Sequence, residues 1–149
     1  MTDALPKVFV DLQITGDGLD PDELSAILPV TPCTAYRKGE RYYAGPRIGY
    51  RIGRTGVWYM TSDEFVSSPH LGDHAAFLWA LLWPAAGNNL RLMRLRDALV
   101  RGRLQLTISI FWAGAPGQAP PRIPKIIHNL AAELGANIET DFGIEDEAA

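Results

Sequence analysis

Two segments restrict what this chain can fold into. Leu104, Leu106, Ile108, Ile110 and Trp112 alternate with Gln105, Thr107, Ser109 and Phe111, and Val8, Val10, Leu12 and Ile14 alternate with Phe9, Asp11, Gln13 and Thr15. A period of two sends successive side chains to opposite faces of a strand, so each segment has one apolar face and one mostly polar face. A sheet made of such strands must bury its apolar face under other elements.

Helical patterns supply that cover. Asp20-Pro21-Asp22-Glu23 reads as a helix start: Asp20 caps, Pro21 is pre-set for the first helical position, and Glu23 lies near the positive end. Leu24, Ile27 and Leu28 form its stripe, and Pro29 with Pro32 ends it. From about His70 to Trp83 the helical pattern is apolar on three sides, which calls for deep burial or a shared partner face. Pro84 to Gly87 breaks it. Leu92, Leu95 and Leu99 predict a short helix whose other side shows Arg91, Arg94 and Arg101. Ile123, Ile126, Ile127, Leu130 and Leu134 predict another, stopped by Gly135, and Ile138, Thr140 and Phe142 predict a last strand.

The middle is less regular. Thr34 to Tyr43 is extended around a turn at Lys38-Gly39-Glu40; Ile48, Tyr50 and Ile52 alternate with Gly49, Arg51 and Gly53; and Val57 to Thr61 resumes a strand after Thr55-Gly56. The order strand, helix, two strands, helix pair, strand, helix, strand predicts an α+β fold. Its expected form is a ferredoxin-like βαββαβ core with a C-terminal αβ extension, an antiparallel sheet with helices on one face.

At 149 residues, 47% apolar and 21% charged, the composition is that of one globular domain over residues 1–149. The ordered core is expected over about residues 6–143 and a flexible acidic tail over 144–149. No apolar run reaches the roughly 18 residues of a membrane span. Met1 to Pro6 lacks a secretion signal, and the single Cys33 cannot pair internally, so the expected location is cytoplasmic. The net charge of −3 conceals blocks: −5 over residues 1–36, +6 over 37–103 and −4 over 104–149. A basic middle between acidic ends is either a binding face or charge that neutralises across the fold.

Several short pieces occur together: Leu19-Asp20-Pro21-Asp22-Glu23-Leu24 with Leu28, Thr31-Pro32, Arg37-Lys38-Gly39-Glu40, Gly56-Val57-Trp58, a helix around His74, and Leu134-Gly135-Ala136 leading into Ile138. In this order, from Val8 to Gly143, the chain resembles the bacterial domain-of-unknown-function family numbered 4279. The resemblance implies a small stand-alone α+β domain and carries over no catalytic residues. By analogy it also implies a partner-binding protein of the immunity or antitoxin kind. The Arg-rich stretch from Arg91 to Arg103 departs from the family's usual pattern.

Candidate chemistry is sparse. His70, Asp73 and His74 are the nearest approach to a metal site, because two His at i and i+4 share a helix face. Helical geometry turns Asp73 off that line, and a structural alternative has Ser68 capping the helix while His74 borders the core. Gly45, Gly49, Gly53 and Gly56 lie in extended hairpins, where no phosphate loop forms. Cys33 reads as a small buried residue; Ser67, Ser68 and Ser109 lack a nucleophile elbow; Asp20 with Asp22 and Asp63 with Glu64 read as capping and turn residues. No cofactor motif is present.

Arginines interleaved with Tyr36, Tyr42, Tyr43, Tyr50, Trp58 and Tyr59 suit either a protein interface or single-stranded nucleic acid. The absence of an RNP1 motif and the acidic whole favour the protein interface. The expectation is therefore a non-catalytic interaction module, self-associating as a homodimer or binding another protein. Its contacts would fall on Arg37, Lys38, Arg41, Arg51, Arg54, Trp58, Arg91 and Arg94, with Trp79 and Trp83 as a helix interface. The alternative is a binder of nucleic acid or another anionic ligand through the same arginines. An enzyme using His70, Asp73 and His74 comes third.

Overall fold

A computed structural model describes residues 5–83 and 89–144. The break expected at Pro84 to Gly87 and the tail residues 145–149 lie outside the described residues. Strand β1 (Lys7–Gly16) is the centre of a five-stranded sheet, with β5 (Gly56–Thr61) and β6 (Gln105–Gly114) on either side, both antiparallel to it. Strand β2 (Thr34–Tyr36) pairs antiparallel with β5 at one edge, and β7 (Asn137–Ile144) pairs parallel with β6 at the other. The order is β2-β5-β1-β6-β7.

The fold is α+β and its sheet is mostly antiparallel, but the ferredoxin-like order is corrected. A ferredoxin-like sheet would give β1 a parallel neighbour, and both of its neighbours run antiparallel. The physical reason lies in the middle segment. β3 (Arg41–Tyr43) and β4 (Tyr50–Ile52) pair only with each other, as a separate two-stranded arm, so β5 takes the place beside β1.

Register places Val8, Val10, Leu12 and Ile14 opposite Trp112, Ile110, Ile108 and Leu106, and Leu12 and Ile14 also lie opposite Met60 and Trp58. These side chains form one buried face. It is covered by α1 (Pro21–Ile27), α2 (Leu71–Leu82), α3 (Leu90–Arg101) and α4 (Lys125–Leu134). Asp20 caps α1 as its spacing predicts, accepting from the Asp22 N–H at 3.0 Å. Gly135 ends α4 in the left-handed conformation at φ 63°, which a side chain rarely tolerates. Arg91 of α3 donates to the Leu81 carbonyl at 2.8 Å, satisfying the C-terminal end of α2.

One polar clamp ties α2 to the sheet. β5 ends at Thr61, and a 3-10 turn over Ser62–Glu64 sets Ser62 beside β1, where its Oγ accepts the Val10 N–H at 2.8 Å. The Ser62 hydroxyl lies 2.6 Å from His74 Nδ1, and His74 Nε2 lies 2.8 Å from the Ser68 carbonyl. A carbonyl only accepts, so Nε2 carries the proton; in neutral imidazole Nδ1 then accepts from Ser62. Both residues are fully buried and satisfied.

Ser62→Ala leaves the Val10 N–H and His74 Nδ1 unpaired in the interior. It is expected to lower the unfolding free energy by about 2–4 kcal/mol, whereas Ser67→Ala at an exposed site changes it by about 0.5 kcal/mol or less. Urea melts of both variants check this; equal midpoints would refute the clamp.

Candidate functional site

The arm is the feature least used by the fold. Tyr36 at the end of β2 stacks on Tyr42 of β3, ring centroids 4.0 Å apart and 2° from parallel. Gly53 lets the arm cross this pair closely, since a Cβ there would stand 2.7 Å from the Tyr36 ring. Around the stack lies a hollow of about 540 Å³ lined by Ala44, Ile48, Arg51, Ile52, Arg54 and Thr55. Among the described residues no carboxylate lines it. Arg41, Tyr43, Tyr50 and Ile52 share one face by register, and the Arg41 guanidinium lies over the Tyr50 ring at 4.0 Å. Tyr43, Ile48, Tyr50 and Ile52 are 57%, 55%, 60% and 62% exposed.

The cations expected at a common site separate into two groups. Arg37 pairs with Asp20 at 2.7 Å and Asp22 at 3.0 Å, and Lys38 with Asp17 at 3.1 Å. These bonds raise the Arg37 pKa, chiefly through Asp22, and hold the Asp17 carboxyl low through hydrogen bonds from Thr55 first and Lys38 second. Arg101 bridges Glu23 and Asp97, and Arg96 meets Glu133. Arg91 serves α2, and Arg94 is exposed on α3, away from the arm. Of the expected set only Arg41, Arg51 and Arg54 fall on the arm, which also carries Arg47; register puts Arg41 on the Tyr43–Tyr50 face and Arg51 on the Tyr42 face, and among the described residues no ion pair engages them.

The face of the sheet opposite the helices is bare, and its chemistry is different. Phe9 and Phe111, directly paired across β1 and β6, stack at 4.6 Å. Beside them Asp11, Ser109, Glu139 and Asp141 line a shallow trough of about 340 Å³. Burial raises the Asp11 carboxyl above its ordinary value; hydrogen bonds from Thr61 and Tyr59 oppose the rise, and Asp63 adds to it. Asp11 Oδ1 is shut off from water without a hydrogen-bond partner. Burial, followed by the bond to Asp11, pushes the Tyr59 phenol well above its ordinary range. Sequence reasoning missed this trough, although two phenylalanines on otherwise polar strand faces were a readable signal.

Other expectations are corrected. Trp58, expected among partner contacts, is 0% exposed, faces the helices and donates to Ser25 Oγ at 3.1 Å. His74 has both ring nitrogens committed, His70 is exposed at the start of α2, and Asp73 accepts from Ser68 at 2.5 Å. Among the described residues no three of the potential ligands His, Cys, Asp and Glu are grouped to hold a metal. Cys33 is exposed rather than buried, 3.8 Å from Glu64; partial desolvation, with that carboxylate, raises its pKa and disfavours the nucleophilic thiolate. The expected Trp79 and Trp83 interface is not among the corrections: the two rings stack on each other at 5.1 Å and pack half-buried against the core, each keeping part of its surface open.

Two outcomes follow. Trp58→Ala is expected to cost about 3–5 kcal/mol of stability, read by chemical denaturation; a surface role would leave the midpoint unchanged. Because the folded state raises the Asp11 pKa, it binds that proton more tightly than the unfolded chain, and this advantage is lost as pH rises through the raised value. Asp11→Asn is therefore expected to be more stable than the parent at neutral pH, with the gap closing as pH falls through the ordinary carboxylate range. Thermal melts across pH check the sign; a variant less stable at neutral pH would reverse it.

Among the described residues no helix is long and apolar enough to cross a membrane. No curated protein and no solved structure matches the chain. A family model described as "Domain of unknown function (DUF4279)" matches residues 6–144. With nearly its whole length so covered, the chain belongs to the DUF4279 family.

Proposed function

We propose that this chain is a cytoplasmic, non-catalytic protein-interaction module of bacterial type that docks through the β3–β4 arm onto an acidic protein surface. The observation that carries this reading is the composition of the arm. Residues 41–54 contain four arginines and no acid, and expose two tyrosines and two isoleucines to more than half of their area. Tyrosine and arginine are the residues that dominate protein contacts energetically, and an apolar cluster rimmed by charge is the usual anatomy of such a contact. A two-stranded arm has little core of its own, so a large apolar surface on it does little for the fold.

Charge discriminates against a nucleic acid as the partner. Arg37 and Lys38 are neutralised by their own carboxylates, so no continuous basic track runs from the arm along the sheet. The bare sheet face, where bases would stack, carries Asp11, Glu139 and Asp141, which repel phosphates. A protein surface with spaced carboxylates matches four separate guanidinium groups better.

A photo-crosslinking residue placed at Tyr50 in the native cell, with the same residue at Val100 of α3 as control, tests the arm. The expected result is a discrete adduct from position 50 that disappears when Arg51 and Arg54 are both changed to Glu. An adduct from position 100 and none from position 50, or one indifferent to the arginines, would overturn the reading.

A further inference from the structure

Two surfaces of the chain carry charges of opposite sign that have no ionic partner. Asp17, Asp20, Asp22, Glu23, Glu40, Asp63, Asp97 and Glu133 each meet a cation. Asp73 and Glu64 have the Ser68 and Cys33 side chains. Among the described residues Glu139 and Asp141, both on the bare face, have neither a cation nor a side-chain donor, and Asp11 beside them has hydrogen bonds from Thr61 and Tyr59 but no cation. Register sets Asp11 beside Ser109, Ser109 beside Glu139, and Phe111 beside Asp141, so the three carboxylates ring the Phe9–Phe111 stack.

The arm carries the matching set. Arg41, Arg47, Arg51 and Arg54 have no ion pair among the described residues, and they flank exposed tyrosine and isoleucine. Other unpaired cations, Arg94, Arg103, Arg122 and Lys125, lie outside the arm; Arg94 has exposed Leu90 and Met93 near it on α3 but no exposed aromatic ring. The arm cannot serve its own trough. It leaves the sheet beside β2 and β5, while the carboxylates lie on β1, β6 and β7, up to three strand spacings or roughly 14 Å further across. It packs chiefly within itself.

We infer that the occupant of the bare sheet face is the β3–β4 arm of a second copy of this chain, its arginines set against the exposed Glu139 and Asp141 and its tyrosines against the Phe9–Phe111 stack. This deepens the reading above and rests on it, naming the acidic surface as the chain's own. An exchange in which each copy gives its arm and receives the other's closes as a two-fold dimer. It also explains why the apolar halves of both surfaces are tolerated: each is the cover of the other.

Sedimentation velocity of the purified full chain tests it, at about 50 mM and about 500 mM salt. The expected result is a dimer at low salt at micromolar concentration, with the dissociation constant rising at least about tenfold at high salt as charge is screened. Arg51→Glu with Arg54→Glu is expected to be monomeric, as is Glu139→Lys with Asp141→Lys. An equimolar mixture of the two is expected to regain a heterodimer, a recovery that misfolded variants cannot give. A wild-type chain that stays monomeric at low salt, or a mixture that stays monomeric while the wild type dimerises, overturns the inference. A monomeric wild type whose position-50 crosslink still captures another protein in an Arg51- and Arg54-dependent way would overturn the self-docking alone and leave the arm as the contact surface. Loss of that crosslink as well would remove both.

Discussion

The cross-strand register of β1 with its two neighbours is the constraint from which the rest follows. It stacks Val8, Val10, Leu12 and Ile14 with Leu106, Ile108, Ile110, Trp112, Trp58 and Met60 on one side of the sheet. A slip of one residue would move the whole set to the other face, so the helices can pack on one side only. Each of those side chains contributes about 1.5–3 kcal/mol when removed from water, and no surface ion pair among the described residues competes with that. The same register sends Phe9, Asp11, Gln13, Ser109 and Phe111 to the side without helices. The bare face is thus a consequence of core formation.

Polar groups then adjust the edges of this arrangement. Where β5 stops at Thr61, β1 would lose a partner for the Val10 N–H; Ser62 supplies it and passes the connection through His74 to the loop before α2. Arg91 does the equivalent for the far end of α2. Histidine here is a buried bracket, and the two-His spacing that suggested a metal arises because one of the pair, His74, is needed inside and the other stands at the helix entrance. At the other end of β5, beside β2, residues 41–52 form an arm that contributes almost nothing to the core and exposes Tyr43, Ile48, Tyr50 and Ile52.

How much of this was legible in the sequence depended on how local the cause was. β1, β6, the Asp20-Pro21 start of α1 and the Gly135 stop of α4 are set by periodicity and backbone chemistry within a few residues, and they fall where those patterns predict. The ferredoxin-like order did not, because strands of three residues such as β2, β3 and β4 carry too little pattern to choose a neighbour. Trp58 was misplaced for a related reason: Val57 to Met60 is apolar or aromatic throughout, so alternation cannot say which side is inside until the pairing with Ile14 is known. The basic block from residue 37 onward concealed two populations of arginine, one neutralised by acids far away in sequence and one left free on the arm. Phe9 and Phe111 marked the trough in the sequence, but its acids did not, because only the adjacency of β1, β6 and β7 brings Asp11, Glu139 and Asp141 together.

Self-docking requires the helix-free side of the sheet to be open in the isolated chain and covered when two copies meet. Hydroxyl-radical footprinting across a dilution series measures this residue by residue, with buried Trp58 and Met60 as internal standards. Phe9 and Phe111 are expected to label readily at high dilution and to become protected at high concentration in step with Tyr43 and Tyr50, while Trp58 and Met60 stay unlabelled throughout. Phe9 and Phe111 as inert as Trp58 at every dilution, or labelling of all four aromatics that ignores concentration, would contradict self-docking.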